Sequence, residues 1–66
     1  MGRKRRGGYI FEFYVGDHLP RHVHIYKDDR LIAKVELDKE LTVMTGRVSR
    51  RLRKILRSLI KEGIIT

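Results

Sequence analysis

The chain has 66 residues, with 16 Lys and Arg against 8 Asp and Glu, a formal net charge of +8 at pH 7, and no cysteine. A chain of this length forms at most one small domain, which excludes large enzyme folds such as the TIM barrel. The lack of cysteine excludes disulfides and thiolate metal ligands, while a hydrophobic fraction of 41% is enough for a core.

The length and composition of the apolar stretches predict where the protein is located. None of them approaches the roughly 18 residues of a membrane-spanning helix. The short stretch after the basic N-terminus carries Glu12, unlike the apolar region of a signal peptide. We therefore expect a cytoplasmic protein with no membrane partner.

Positive charge is concentrated at the two ends of the chain. Residues 1–8 carry four cations and no acid, and residues 47–66 carry seven cations against Glu62 alone, whereas residues 9–46 are slightly acidic. Such asymmetry is typical of a protein with a polyanionic partner. Because residues 2–8 offer nothing to bury, we expect residues 1–8 to form a flexible basic arm before a single domain over residues 9–66.

Strands are predicted where apolar and polar residues alternate. Residues 9–15 are aromatic and β-branched, and their alternation places Phe11 and Phe13 on one face. Residues 22–27 alternate again, with Ile25 on the inward face. A loop containing a proline separates the two strands.

Two further strands are predicted after a hairpin turn at Asp28 and Asp29. Residues 31–37 give the clearest pattern, and residues 38–40 form a turn before a short return strand at residues 41–44. The apolar side chains of the third strand share one face: Leu31, Ala33, Val35 and Leu37.

After Ser49 the apolar period changes to that of a helix. Ser49 is suited to cap its first turn, and Gly63 is suited to end it. The apolar stripe consists of Leu52, Ile55, Leu56, Leu59 and Ile60. The predicted fold is α+β: a small antiparallel sheet of three or four strands packed by one C-terminal amphipathic basic helix, in the order ββββα.

The helix carries a run of cations that its apolar stripe leaves on the solvent side. The candidate nucleic-acid-binding residues are Arg47, Arg50, Arg53, Lys54, Arg57 and Lys61. Like charges three or four residues apart repel, so helix stability alone does not explain this arrangement. Phosphates would relieve the repulsion and release counterions on binding. The alternative is a solvated face that confers solubility and binds nothing.

All three histidines lie close together in the sequence, at His18, His22 and His24, with Asp17 beside the first. Two residues apart on a strand, His22 and His24 point to the same face. If a metal is bound, these four residues are its candidate ligands, and zinc or manganese suits them.

The same histidines also fit chemistry without a cofactor. One imidazole can take a proton from a ribose 2′-hydroxyl while another donates one to the leaving oxygen, as in a metal-independent ribonuclease. His18, His22 and His24 are the candidate catalytic residues. The plain alternative is that the histidines hydrogen-bond on a half-exposed strand and have no chemical role.

The histidine segment resembles a known family. Asp17-His18-x-Pro20-x-His22-Val23-His24 is similar to the Asp-His-x-Pro-Pro-His-aromatic-His pattern of the prokaryotic domain-of-unknown-function family 4160. The strand at residues 33–37, a glycine before the helix and the basic helix also match, so the resemblance covers residues 9 to about 62. Arg21, Val23 and Ser49 depart from the usual residues, which loosens any inference about a preorganised loop.

The resemblance implies a component of a toxin–antitoxin module, in which a basic RNA-acting domain is held by an acidic antitoxin-like protein partner. Our leading hypothesis is a small RNA-binding protein of this type, with metal-independent ribonuclease activity as its enzymatic form. The alternatives are a non-enzymatic nucleic-acid- or protein-binding module with structural histidines, and a divalent-metal-binding protein. An exposed edge strand would also allow a homodimer.

Overall fold

The structure, a computed structural model, describes residues 2–13 and 21–65. Its elements are β1 (Gly2–Arg6), β2 (Tyr9–Phe13), β3 (His22–Lys27), β4 (Arg30–Glu36), β5 (Val43–Gly46) and α1 (Arg50–Lys61). The strands form one antiparallel sheet in the order β1-β2-β3-β4-β5. The predicted α+β class with a C-terminal helix is confirmed. No helix in the described ranges is long and apolar enough to cross a membrane.

The prediction of three or four strands is wrong, because the sheet has a fifth. The additional strand is β1, formed by the basic segment that the sequence assigned to a flexible arm. Its register runs from Gly2 opposite Phe13 to Arg6 opposite Tyr9. Backbone hydrogen bonds to β2 form this strand, and they leave no hydrophobic pattern in the sequence.

Helix α1 covers one face of the sheet, and the core lies between them. The buried side chains come from alternate strand positions, from the apolar stripe of the helix, from the loop before β5 and from the segment after the helix: Tyr9, Phe11, Phe13, Val23, Ile25, Ala33, Val35, Leu41, Leu52, Leu56, Leu59 and Ile65. The Oγ of Ser49 accepts a hydrogen bond of 3.1 Å from the backbone N–H of Leu52, which confirms the predicted N-cap. We call the side of the sheet away from α1 the outer face.

The hairpin between β3 and β4 turns at Asp28 and Asp29, as predicted, and both residues have positive φ. An irregularity in the pairing follows at once, since Tyr26 lies opposite Leu31 while Ile25 lies opposite Ala33. The extra residue on β4 moves Leu31 to the outer face, where 44% of it is exposed. The prediction that Leu31 shares the buried face is therefore wrong.

The fourth predicted strand, residues 41–44, forms two residues later as β5. Asp38 holds the preceding loop, because its carboxylate accepts hydrogen bonds from the backbone N–H of Thr42 at 2.9 Å and from its hydroxyl at 2.7 Å. Leu41 lies inside this loop with a φ of 54° and is buried in the core. Because Leu41 is buried, position 41 is apolar, and this is why the apolar pattern assigned it to a strand.

Candidate nucleic-acid surface and histidine pair

Four cations form a line along the solvent side of α1, which we call the cationic stripe: Arg50, Lys54, Arg57 and Lys61. All four are exposed. Their spacing of four, three and four residues keeps them within an arc of about 60° over about 16 Å of helix. They lie opposite the buried residues Leu52, Leu56 and Leu59. The stripe is therefore directed away from the core along its whole length.

Within the described part of the chain, no acid forms an ion pair with the stripe. In residues 2–13 and 21–65, the one ion pair joins Arg6 to Glu62 and includes no member of the stripe. The first turn of α1 contains no acid, so Arg50 lies at the end where the helix dipole is unfavourable to a cation. The arrangement costs helix stability and favours an external anion.

Two other arginines of the helix donate hydrogen bonds to backbone carbonyls of the protein. Arg53, a predicted nucleic-acid-binding residue, is half-buried, and its Nη1 donates hydrogen bonds of 3.1 Å to the carbonyls of both Glu40 and Leu41. Arg51 donates a hydrogen bond of 3.3 Å to the carbonyl of Gly7. Arg53 therefore fastens the loop before β5 to the helix.

Arg47, also predicted to bind nucleic acid, lies three residues before α1 and is exposed. It follows Gly46 at the end of β5 and is outside the line of the stripe. The structure therefore groups four of the six predicted residues into one surface and places Arg47 and Arg53 elsewhere.

His22 and His24 lie side by side on the outer face, in β3. Their ring centroids are 5.0 Å apart, with an angle of 38° between the ring planes. Tyr26 continues the same row, with its ring centroid 6.5 Å from that of His24 in an edge-on arrangement. Val23 and Ile25 between them are fully buried against the helix side. Strand alternation therefore presents the two imidazoles as a pair.

The charged neighbours of His24 come from the adjacent strands. Glu12 on β2 and Lys34 on β4 lie directly opposite His24 in the register. Burial is the main cause that lowers the pKa of His24; His22 and Lys34 lower it further, and Glu12 opposes them. His24 is therefore neutral at pH 7. A neutral imidazole can accept a proton or bind a metal.

The stripe and the histidine pair lie on opposite sides of the molecule. The side chains of β3 that contact the core point toward α1, and those of His22 and His24 point away from it. In the described residues, Lys34 is the cation directly opposite His24, and it belongs to β4.

The remaining predicted site residues, Asp17 and His18, lie outside the described residues. Within residues 2–13 and 21–65, no group of three or more His, Asp or Glu side chains is placed to hold a metal ion. In this part of the chain, the histidine pair supplies two imidazole ligands at most.

Sequence reasoning missed two features of these surfaces. Glu12 and Lys34 become neighbours of His24 only through the strand register, which residue spacing along the chain does not reveal. A cavity of about 390 Å³ opens beside the stripe, with Leu41 and Ile60 among its lining residues, next to Arg57. The sequence predicted the turn at residues 38–40 but assigned Leu41 to a strand, and so did not reveal the cavity that Leu41 lines.

Comparison with known proteins gives the family. The family model described as "Domain of unknown function (DUF4160)" matches residues 8–63, and the chain belongs to this family. The resemblance seen in the sequence is thereby confirmed. No curated protein and no solved structure matches the chain. The matched span contains both the histidine pair and the cationic stripe.

Proposed function

We propose that the protein binds RNA through the cationic stripe. The observation that supports this is the line of Arg50, Lys54, Arg57 and Lys61, all exposed and without an ion pair in the described part of the chain. Neutralising phosphates with such cations releases counterions, which supplies most of the sequence-independent affinity for nucleic acid. The repulsion within the stripe would be relieved in the same step.

A binding experiment with two matched variants tests the proposal. Fluorescence anisotropy with labelled RNA compares the wild type with the variant Lys54→Gln, Arg57→Gln, Lys61→Gln. The matched control removes the same charge from β1 and from the β3–β4 hairpin, as Arg3→Gln, Arg5→Gln, Arg30→Gln. We expect the stripe variant to lose at least tenfold in affinity and the control to lose much less. Equal losses would contradict a specific role for the stripe.

We further propose that the protein acts as an RNA-binding component of the toxin–antitoxin type, held by an acidic protein partner. The excess of basic residues supports this role, because an acidic partner would complement it. An acidic partner that covered the stripe would compete directly with RNA. Induced expression in bacteria should arrest growth for the wild type and not for the stripe variant. Growth unaffected by the wild type would contradict the toxin role.

Metal-independent ribonuclease activity is the second candidate function, and it is favoured by the pairing of His22 and His24 at 5.0 Å. Neutral His24 would take the proton of a ribose 2′-hydroxyl as its oxygen bonds to phosphorus. His22 as imidazolium would protonate the leaving 5′-oxygen as the phosphorus–oxygen bond breaks. The products would be a 2′,3′-cyclic phosphate and a 5′-hydroxyl, with Lys34 close enough to stabilise the phosphate.

Cleavage of labelled RNA in the presence of EDTA tests the second candidate. Wild type should cleave, His24→Gln should not, and circular dichroism should show that the variant remains folded. Cleavage that requires added zinc or manganese would contradict the metal-independent mechanism. No cleavage by the wild type would leave a binding protein with structural histidines.

A further inference from the structure

We propose that the cationic stripe recognises the backbone of a double-stranded nucleic acid and does not read bases. This inference rests on the proposed function, because it names the class of nucleic acid that the same surface binds. It follows from the side chains that the stripe has, from those that it lacks, and from the charge density of its partner.

The helix surface offers no platform for unpaired bases. Proteins that bind single strands usually stack bases on exposed aromatic side chains. Among the described aromatic residues, Tyr9, Phe11 and Phe13 are buried beneath α1, and Tyr26 lies on the outer face. The sequence of α1 itself contains no aromatic residue. The stripe therefore lacks aromatic side chains on which the bases of a single strand could stack.

The helix surface also lacks most of the groups that read base edges. The whole chain contains no Asn or Gln, the residues that recognise adenine. The hydroxyl of Ser58 donates to the carbonyl of Ile55 at 2.6 Å, so its proton is used within the helix. Only Lys and Arg side chains remain along the exposed line. Inside a groove such side chains can read guanine, but along the outside of a backbone they bind phosphate without regard to sequence.

The stripe is too narrow to fill a groove. A helix inserted into a groove contacts both walls, which requires cations on both flanks of the line. The two arginines that flank it, Arg51 and Arg53, donate to carbonyl groups of the protein instead. The deep and narrow major groove of duplex RNA would exclude a helix in any case. The geometry points to contact along the outside of a duplex backbone.

Charge density then decides between duplex and single strand. Log affinity falls with log salt by about 0.9 per neutralised phosphate for B-form DNA, which stands here for a duplex, and by about 0.7 for a single strand. Four phosphates therefore give slopes of about −3.6 and −2.8. With equal affinities for the two forms at 1 M salt, this slope difference of about 0.8 gives the duplex an affinity about sixfold higher than that of the single strand at 0.1 M salt.

The test measures the affinity of the full chain for one sequence as single-stranded RNA, duplex RNA and duplex DNA, at several salt concentrations. We expect duplex RNA to bind about sixfold more tightly than the single strand at 0.1 M salt. Scrambling the duplex sequence should change affinity less than twofold. Replacing Arg57 with Gln should reduce the magnitude of the duplex slope by about 1.

The failures of the two proposals are distinguishable. Absence of binding to every probe overturns the proposed function and this inference with it. Equal or tighter binding to single-stranded RNA, lost on Arg57→Gln, overturns the duplex inference alone. A preference of more than tenfold for one duplex sequence overturns the claim that bases are not read. Tighter binding to duplex DNA supports the duplex inference and overturns the assignment to RNA.

Discussion

Arg6 and Glu62 join the first strand to the end of the helix through two parallel contacts. Nη1 of Arg6 donates to Oε2 of Glu62 at 2.6 Å, and Nη2 donates to Oε1 at 3.0 Å. Nη1 also lies 3.3 Å from the hydroxyl oxygen of Ser58. Such a two-point pair is geometrically specific. It fixes β1, a strand with no large apolar residue of its own, to the helix that carries the stripe.

We expect Glu62→Gln to lower the melting temperature by a few degrees and to loosen β1 first. Arg6 lowers the pKa of Glu62, so the ion pair stabilises the fold above the ordinary carboxyl pKa and is lost as the pH falls. The difference in melting temperature between wild type and variant should narrow across the acid range below the ordinary carboxyl pKa. Thermal unfolding across this range measures it, and Glu40→Gln is the control. A difference in melting temperature that does not change with pH would contradict the ion pair between Arg6 and Glu62.

Protonation of His24 should destabilise the protein in mild acid. Because its pKa is lower in the fold than in the unfolded chain, the unfolded chain binds the proton more readily. The stability that neutral His24 provides is full above about pH 6.5 and declines as the pH falls below it. The free energy of unfolding, measured in urea at pH 7.5 and at pH 5.5, should fall less between these two pH values for His24→Gln than for the wild type.

Comparison of His22→Gln with His24→Gln separates the causes that lower the pKa of His24. His22→Gln should reduce the pH dependence without removing it, since burial of His24 is the larger cause. The ring-proton resonances of His24 in an NMR titration report its pKa directly. A midpoint at or above the ordinary histidine value would contradict this account.

Gly46 ends β5 in a conformation that other residues avoid. Its φ is 83°, and an added methyl group would collide with the carbonyl oxygen of Ile32 on β4. We expect Gly46→Ala to destabilise the protein by at least about 2 kcal/mol. Gly63 has a similar φ of 79° but open space around it, so Gly63→Ala should cost about 1 kcal/mol. Equal losses in urea unfolding would contradict the steric argument.

Hydrophobic period predicted the elements that bury side chains. The alternation of Val23 and Ile25 gave β3, and the spacing of Leu52, Leu56 and Leu59 gave α1, because burial imposes a period of two on a strand and 3.6 on a helix. Ser49 marked the helix start because its side chain acts locally.

Long-range contacts account for what the sequence did not reveal. Arg6 forms its ion pair 56 residues away in the chain, so the sequence alone showed a basic arm where the structure has a strand. The bulge that exposes Leu31 is likewise a property of two strands together. The separation of the histidines from the helix cations follows from strand alternation in β3 together with the packing of α1 on the other face of the sheet, and the sequence alone did not show which face the helix covers.

The measurement that tests the central proposal most directly is an NMR titration of the ¹⁵N-labelled protein with an uncleavable 2′-O-methyl RNA duplex. It observes the guanidinium Nε–H signals of Arg50 and Arg57 and the ring signals of His22 and His24 in the same sample. We expect the arginine signals to shift in proportion to bound RNA while the histidine signals stay in place. Shifts confined to the histidine rings would place the RNA on the outer face and contradict binding through the cationic stripe.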